Sequence, residues 1–208
     1  MDSQHRLPSD TDNGMLLIIS GPSGVGKTTI TRAIERSIPD AVFSVSATTR
    51  QRTEADVEGI DYHFLSEDQF VRRIEADEFL EHAVYAGNRY GTLRAPVEAQ
   101  LERGRLVILE IDVEGAKNVK AQLPDAFAIF IMPPSEEALL ERLRARKRED
   151  ESVIQRRFEI ARREIAEARA CNAYDAFIVN DTLDHSIAEA LDLVRAQRAA
   201  RARSADQA

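Results

Sequence analysis

The stretch from Met15 to Thr29 constrains the fold of this chain more than any other. The apolar run Met15-Leu16-Leu17-Ile18-Ile19-Ser20 enters Gly21-Pro22-Ser23-Gly24-Val25-Gly26-Lys27-Thr28-Thr29, and Ile30, Ala33 and Ile34 follow at helical spacing. Strand, glycine-bracketed loop, Lys-Thr and helix occur in the order a phosphate cradle requires. The backbone N–H groups of the loop converge on an anion, and the first turn of the helix adds unpaired N–H groups and a favourable dipole. Lys27 supplies a point charge for β- and γ-phosphates, and the Thr28 hydroxyl is placed to ligate Mg²⁺. Gly21, Pro22, Ser23, Gly24, Val25, Gly26, Lys27, Thr28 and Thr29 are therefore the candidate triphosphate site. The loop indicates a nucleoside triphosphate without indicating what receives the phosphoryl group.

The remaining chain repeats the strand and helix alternation. Residues 41–46 alternate as a strand, 106–112 and 126–132 are continuous apolar runs of the kind buried on both faces, and 176–180 is a fourth such run. Helical patterns separate them, with Gly104 closing one helix and Ser135 and Asp184 as N-caps of two others. This order predicts an α/β fold, a parallel sheet wrapped by helices with its phosphate site at the carboxyl ends of the strands. Between two core elements lies a small mixed insertion, residues 46–92. It holds a long polar loop, a capping box at Ser66-Glu67-Asp68-Gln69 opening a short helix with Phe70, Val71 and Ile74 inward, and two strands joined by a Gly87-Asn88 turn.

With 208 residues and 43% hydrophobic content the chain is one domain with excursions. The formal net charge of −8 argues against general nucleic-acid binding. Cys171 is the only cysteine, which excludes an intrachain disulfide and suits a reducing compartment. Residues 1–13 lack the order of a signal peptide, and no stretch approaches membrane-spanning length. A soluble cytoplasmic protein without a membrane or nucleic-acid partner is expected, with frayed tails at 1–13 and 196–208.

Six blocks in order carry a resemblance: Gly21 to Thr29, Ser44-Val45-Ser46-Ala47-Thr48-Thr49-Arg50, Asp61-Tyr62-His63-Phe64, Gly87-Asn88-Arg89-Tyr90-Gly91-Thr92, Glu110-Ile111-Asp112-Val113-Glu114-Gly115 and Ile178-Val179-Asn180-Asp181. Together they resemble guanylate kinase from about Leu16 to Leu193. The resemblance implies a P-loop core of residues 14–45, 93–141 and 158–195 within a domain spanning 14–195. The insertion 46–92 would bind GMP and residues 142–157 would form a helical lid. It implies Mg²⁺-dependent transfer of the ATP γ-phosphoryl group to GMP, with dGMP as a second acceptor, in a monomer or homodimer.

By the same resemblance Arg50, Tyr62 and Tyr90 hold the GMP phosphate. Ser46, Glu81 and Thr92 recognise guanine, because a carboxylate accepts from guanine N1–H and the 2-amino group whereas adenine offers an acceptor at N1. Glu110 and Asp112 close the second buried strand near the metal and GMP; Asp112 reads equally as an N-cap. Arg142, Arg146 and Arg157 match lid arginines that reach the triphosphate, and Asn180 and Asp181 border adenine. The cluster from Arg142 to Arg148 reads as part of a charged helix-loop-helix without an apolar core of its own. Three departures stand out: Lys147 where Gly is usual, Glu110 and Glu114 where Asp and Gln are common, and Thr53 where a second phosphate-binding Arg falls. Arg52 either replaces that guanidinium or is a solvated loop residue. Two rivals remain at this level, an interaction module of the same fold and another small-molecule P-loop kinase.

Overall fold

The computed structural model describes residues 14–85, 87–145 and 150–205. The apolar runs become a five-stranded sheet in the order β2 (Ala41–Phe43), β7 (Leu106–Glu110), β1 (Met15–Ser20), β8 (Phe127–Met132) and β9 (Ala176–Val179), and every pairing is parallel. All six residues of β1 are buried. Alternation sends Met15, Leu17 and Ile19 to one face, against α1 (Lys27–Ser37) and α7 (Leu183–Ala205), and Leu16 and Ile18 to the other. The second face is covered by α3 (Arg94–Glu102) and α4 (Val113–Gln122) through Val97, Leu101, Ala116 and Val119. Each such Ile or Leu contributes about 1.5–3 kcal/mol on burial, so the unbroken apolarity of β1 is what makes it central.

The strand expected over 41–46 ends at Phe43. After Phe43 the Ser44 N–H still donates to the Ile108 carbonyl (2.9 Å), but β3 (Ala47–Thr48) belongs to a second sheet. That sheet runs β4 (His63–Phe64), β3, β6 (Asn88–Leu93), β5 (Phe79–Tyr85). Asn88 pairs with Tyr85 inside the ladder, so it belongs to β6 and not to the turn expected at Gly87-Asn88. The capping box forms as read, Gln69 N–H donating to Ser66 Oγ (3.2 Å) and Ser66 N–H to Gln69 Oε1 (2.8 Å) at the head of α2 (Glu67–Glu75). Phe70 stacks on Phe79 with ring centroids 4.3 Å apart, and together with Ala47 and Ile74 they make the small sheet's core.

Two expectations are corrected by the helices. The hairpin of α5 (Glu136–Ala145) and α6 (Glu151–Ala170) does have an apolar core, Leu139, Leu143, Ile154 and Ala161, with Phe158 and Ile165 packed on it. Its members are scattered among arginines, which hid the stripe. The boundaries expected at 142 and 157 fall inside these helices. Ser135 caps α5 as read, but α7 starts at Leu183, so Asp184 lies within its first turn rather than at the cap.

The tail expected to fray from residue 196 instead continues α7 to Ala205. Past the buried Val194 it has no apolar stripe, and polar contacts hold it. Arg198 grips Asp40 through two bonds of 2.8 and 2.6 Å, and Arg201 donates to the Gly14 carbonyl (3.2 Å) and to that of Asp125. No helix among the described residues is long and apolar enough to cross a membrane. Asp40→Ala should lower the unfolding free energy by about 1–2 kcal/mol in urea titration, the loss of a half-buried bidentate ion pair. A change within about 0.5 kcal/mol would match a frayed tail instead.

Candidate functional site

The carboxyl ends of β1 and β7 meet the small sheet around a cavity of about 260 Å³. Its walls carry Gly21, Ser23 and Lys27 of the P-loop, Ser46, Tyr62, Glu81 and Tyr90 of the small-sheet region, Glu110 at the end of β7 and Asp112 just beyond it. Ser20 Oγ donates to the Ile111 carbonyl (2.7 Å), tying the end of β1 to the segment that presents these two acids.

The P-loop takes its shape from glycine where a side chain could not fit. Gly26 has φ +102°, and a Cβ there would stand 2.7 Å from Asn180 Nδ2. That amide donates to the Val25 carbonyl (2.7 Å), while its oxygen accepts from Ser186 Oγ (3.2 Å). Asn180, read from sequence as a neighbour of adenine, is therefore buried with its side chain committed to the loop. Asp181 is exposed and accepts from the Thr182 N–H (2.5 Å) at the entry to α7.

Lys27 Nζ donates to the carbonyls of Gly21 (2.5 Å) and Pro22 (3.1 Å), so the ammonium rests on the rim of the anion cradle. Thr28 and Thr29 are exposed in the first turn of α1, and Thr28 Oγ1 donates to Glu110 Oε1 (2.8 Å). The hydroxyl and carboxylate form a pair of hard oxygen donors beside the phosphate cradle, a set that fits Mg²⁺. Arg157 reaches the loop, donating to Ser23 Oγ, and Arg142 donates to the carbonyl of Asn180 (2.9 Å), the residue whose amide holds Val25. Arg146 and Lys147 lie outside the described residues.

Glu81 projects from β5 and is 7% exposed. Its Oε1 accepts from Thr92 Oγ1 (2.6 Å) across the β5–β6 pair. Its Oε2 lies only 2.8 Å from where a Cβ on Gly115 would stand, so that glycine leaves room for the carboxylate. Burial pushes the Glu81 carboxyl up to about 7; the Thr92 hydroxyl opposes the shift and the charge of Asp112 adds to it. Asp112 caps α4, accepting from the Gly115 N–H (2.8 Å), while facing the cavity. Of its two readings from sequence, the N-cap is the one observed. Tyr62 and Tyr90 pack edge to face with centroids 5.8 Å apart, and burial raises the Tyr62 hydroxyl above the usual tyrosine range.

Arg50 and Arg52 do not line the cavity. Arg50 lies over the ring of Tyr62 (5.3 Å to the centroid) and is paired with Asp56, whereas Arg52 is exposed and donates to the Asp56 carbonyl (2.9 Å). Glu164 was missed from sequence. It lies two helical turns after Arg157 on α6, a spacing that would have flagged it, and it enters the same cavity. Burial pushes its carboxyl up to about 7, with Lys27 opposing and Asp112 and Glu167 reinforcing the shift.

Residues 13–197 match the model of one protein family, guanylate kinase. Curated guanylate kinases are similar along most of their length. That of Anaeromyxobacter dehalogenans is 42% identical, covering 94% of this chain and 84% of the relative, and that of Prochlorococcus marinus is 44% identical, covering 88% and 95%. The crystal structure of guanylate kinase from Anaplasma phagocytophilum superposes with a TM-score of 0.73 at 31% identity, over 91% of this chain and 88% of that one.

The raised Glu81 carboxyl yields a pH-dependent stability. A folded-state value of about 7 against an unfolded value near 4.5 means that its contribution is complete below 4.5 and lost as pH rises through 7. Glu81→Gln removes the group that must ionise while burial persists. Urea titration should therefore find the variant more stable than the parent at pH 8 by on the order of 1–2 kcal/mol relative to the difference at pH 4. Glu164 is present in both proteins and cancels. An equal difference at the two pH values would show an ordinary, solvated carboxylate.

Proposed function

The chain belongs to the guanylate kinase family and phosphorylates GMP with ATP, and from that premise we propose how its own residues divide the work. The observation that carries the assignment is one cavity walled by both Lys27 of the P-loop and Glu81 of the small sheet. Residues 21–29 cradle the ATP phosphates on backbone N–H groups, and the insertion 46–92 receives GMP. Lys27 Nζ leaves the Gly21 and Pro22 carbonyls for phosphate oxygens, where it stabilises charge as the phosphoryl group moves. Phosphoryl transfer needs positioning and charge stabilisation rather than a covalent nucleophile, which accords with the described wall.

Arg157 already touches the P-loop at Ser23 and Arg142 the neighbouring Asn180, and these two, with Arg146, take the outer face of the triphosphate. Thr28 and Glu110 would hold Mg²⁺, which would supply positive charge against the phosphates. Activity should vanish with EDTA and return with added Mg²⁺.

Guanine recognition falls to Glu81, supported by its burial and by the Thr92 hydroxyl that fixes one of its oxygens. The ionised carboxylate accepts from N1–H and the 2-amino group together, and Ser46 borders the same pocket. Tyr62, Tyr90 and Arg50 take the GMP phosphate. AMP would set a lone pair against the carboxylate, so GMP should be strongly preferred in coupled ADP-production assays; equal use of AMP would overturn the pocket.

Lys27→Ala is expected to lower kcat by at least about a hundredfold, and activity within threefold of the parent would contradict its role. The raised Glu81 carboxyl adds a signature. Below pH about 7, kcat/KM for GMP should fall by roughly tenfold per pH unit relative to Glu81→Gln, since only the ionised form accepts both donors. The variant should start roughly ten- to a hundredfold lower at pH 8. Parallel profiles would exclude Glu81 as the group that reads the base, because the GMP phosphate and Glu164 titrate alike in both proteins.

A further inference from the structure

The polar loop between β3 and β4 is organised around one carboxylate. Asp56 Oδ1 accepts from Arg50 Nη2 (2.8 Å), and Oδ2 accepts from Arg50 Nη1 (3.0 Å), the Thr53 N–H (2.7 Å) and Thr53 Oγ1 (2.7 Å). The Asp56 carbonyl takes Arg52 Nε (2.9 Å), and its N–H donates to the Thr53 carbonyl (3.2 Å). Thr53, which stands where a second arginine was expected, therefore serves Asp56, and the Arg52 guanidinium is drawn to the backbone of the same residue.

The way Asp56 holds Arg50 decides what that arginine can still do. The carboxylate takes the end of the guanidinium, one N–H from each Nη, and the Gln51 carbonyl takes another from Nη1 (3.1 Å). Among the described residues no acceptor is assigned to Nε–H, so the side edge formed by Nε and Nη2 keeps a parallel pair of donors. That edge is the fork that matches two oxygens of a phosphate. The same guanidinium lies 5.3 Å from the Tyr62 ring centroid and 5.4 Å from that of Phe64, and Tyr62 lines the cavity.

We propose that Asp56 is a positioning residue, which with Thr53 fixes the Arg50 side chain in advance so that this one arginine, without Arg52, grips the acceptor phosphate. The inference rests on the reading of Arg50 as a ligand of the GMP phosphate. Arginine has many rotamers to lose on binding, and an end-on carboxylate removes most of that freedom before the substrate arrives. The electrostatics agree. The Arg50 hydrogen bond, followed by those from Thr53, holds the Asp56 carboxyl well below the usual range, so the pair persists across the working pH range.

The test is a double-mutant cycle read in KM for GMP, KM for ATP and kcat. Asp56→Asn should raise KM for GMP roughly five- to thirtyfold while KM for ATP and kcat stay within about twofold. In an Arg50→Ala background, which itself raises KM for GMP, the same change should add nothing. Arg52→Ala should leave all three parameters unchanged. A lower KM for GMP in Asp56→Asn would make Asp56 a competitor for the phosphate and overturn the inference. An equal rise in both backgrounds would overturn it as well, since Asp56 would then act on the loop and not through Arg50. A tenfold rise in KM for GMP in Arg52→Ala would overturn the single-arginine grip. An unchanged KM for GMP in Arg50→Ala would instead refute the underlying reading of Arg50.

Discussion

Everything at the site depends on β1 being buried on both faces and paired along both edges. A strand so confined cannot shift or twist independently, and the P-loop is its direct continuation. The register β2-β7-β1-β8-β9 puts all the carboxyl ends on one side, so the segment after β7 arrives beside the loop without a special device. The bond from Ser20 to the Ile111 carbonyl then sets Glu110 and Asp112 at a fixed place relative to Lys27.

A protein of net charge −8 that handles two phosphorylated nucleotides must concentrate its positive charge locally. Lys27 and Arg157 meet the P-loop, Arg142 is held on the neighbouring Asn180, and Arg50 is held at the small sheet. Four carboxyl groups share the cavity, Glu81, Glu110, Asp112 and Glu164. Burial lifts Glu81 and Glu164 to about 7, so the two carry only part of their charge near neutrality. If Glu81 reads the base as proposed, that shift sets a compromise, because the burial that would give the carboxylate discriminating power also makes its ionisation costly.

The parts legible in the sequence were those with local causes. The P-loop, the Ser66 capping box and the buried strands follow from spacing and apolarity alone. The start of the insertion at 46 was legible, but the end of β2 at Phe43 was not, since the alternating pattern of 41–46 runs on past it. The length of α7 was hidden because Arg198 and Arg201 are held by Asp40, Gly14 and Asp125, residues far away in the chain. The apolar core of the α5–α6 hairpin is assembled from two segments, neither of which carries a full stripe. In the loop of residues 50–56 the departure from the family pattern was visible, but its meaning was not. Only the fold shows that Thr53 and Arg52 both turn to Asp56.

In the proposed division of work, one cavity holds the base on Glu81 while Lys27 serves the phosphates. A crystal structure with GMP and a non-hydrolysable ATP analogue bound together tests it most directly. Guanine N1 and the 2-amino nitrogen should lie within hydrogen-bond distance of the Glu81 carboxylate, and Lys27 Nζ should have moved from the Gly21 and Pro22 carbonyls to phosphate oxygens. A complex in which Glu81 meets only Thr92 and Lys27 remains on those carbonyls would contradict it.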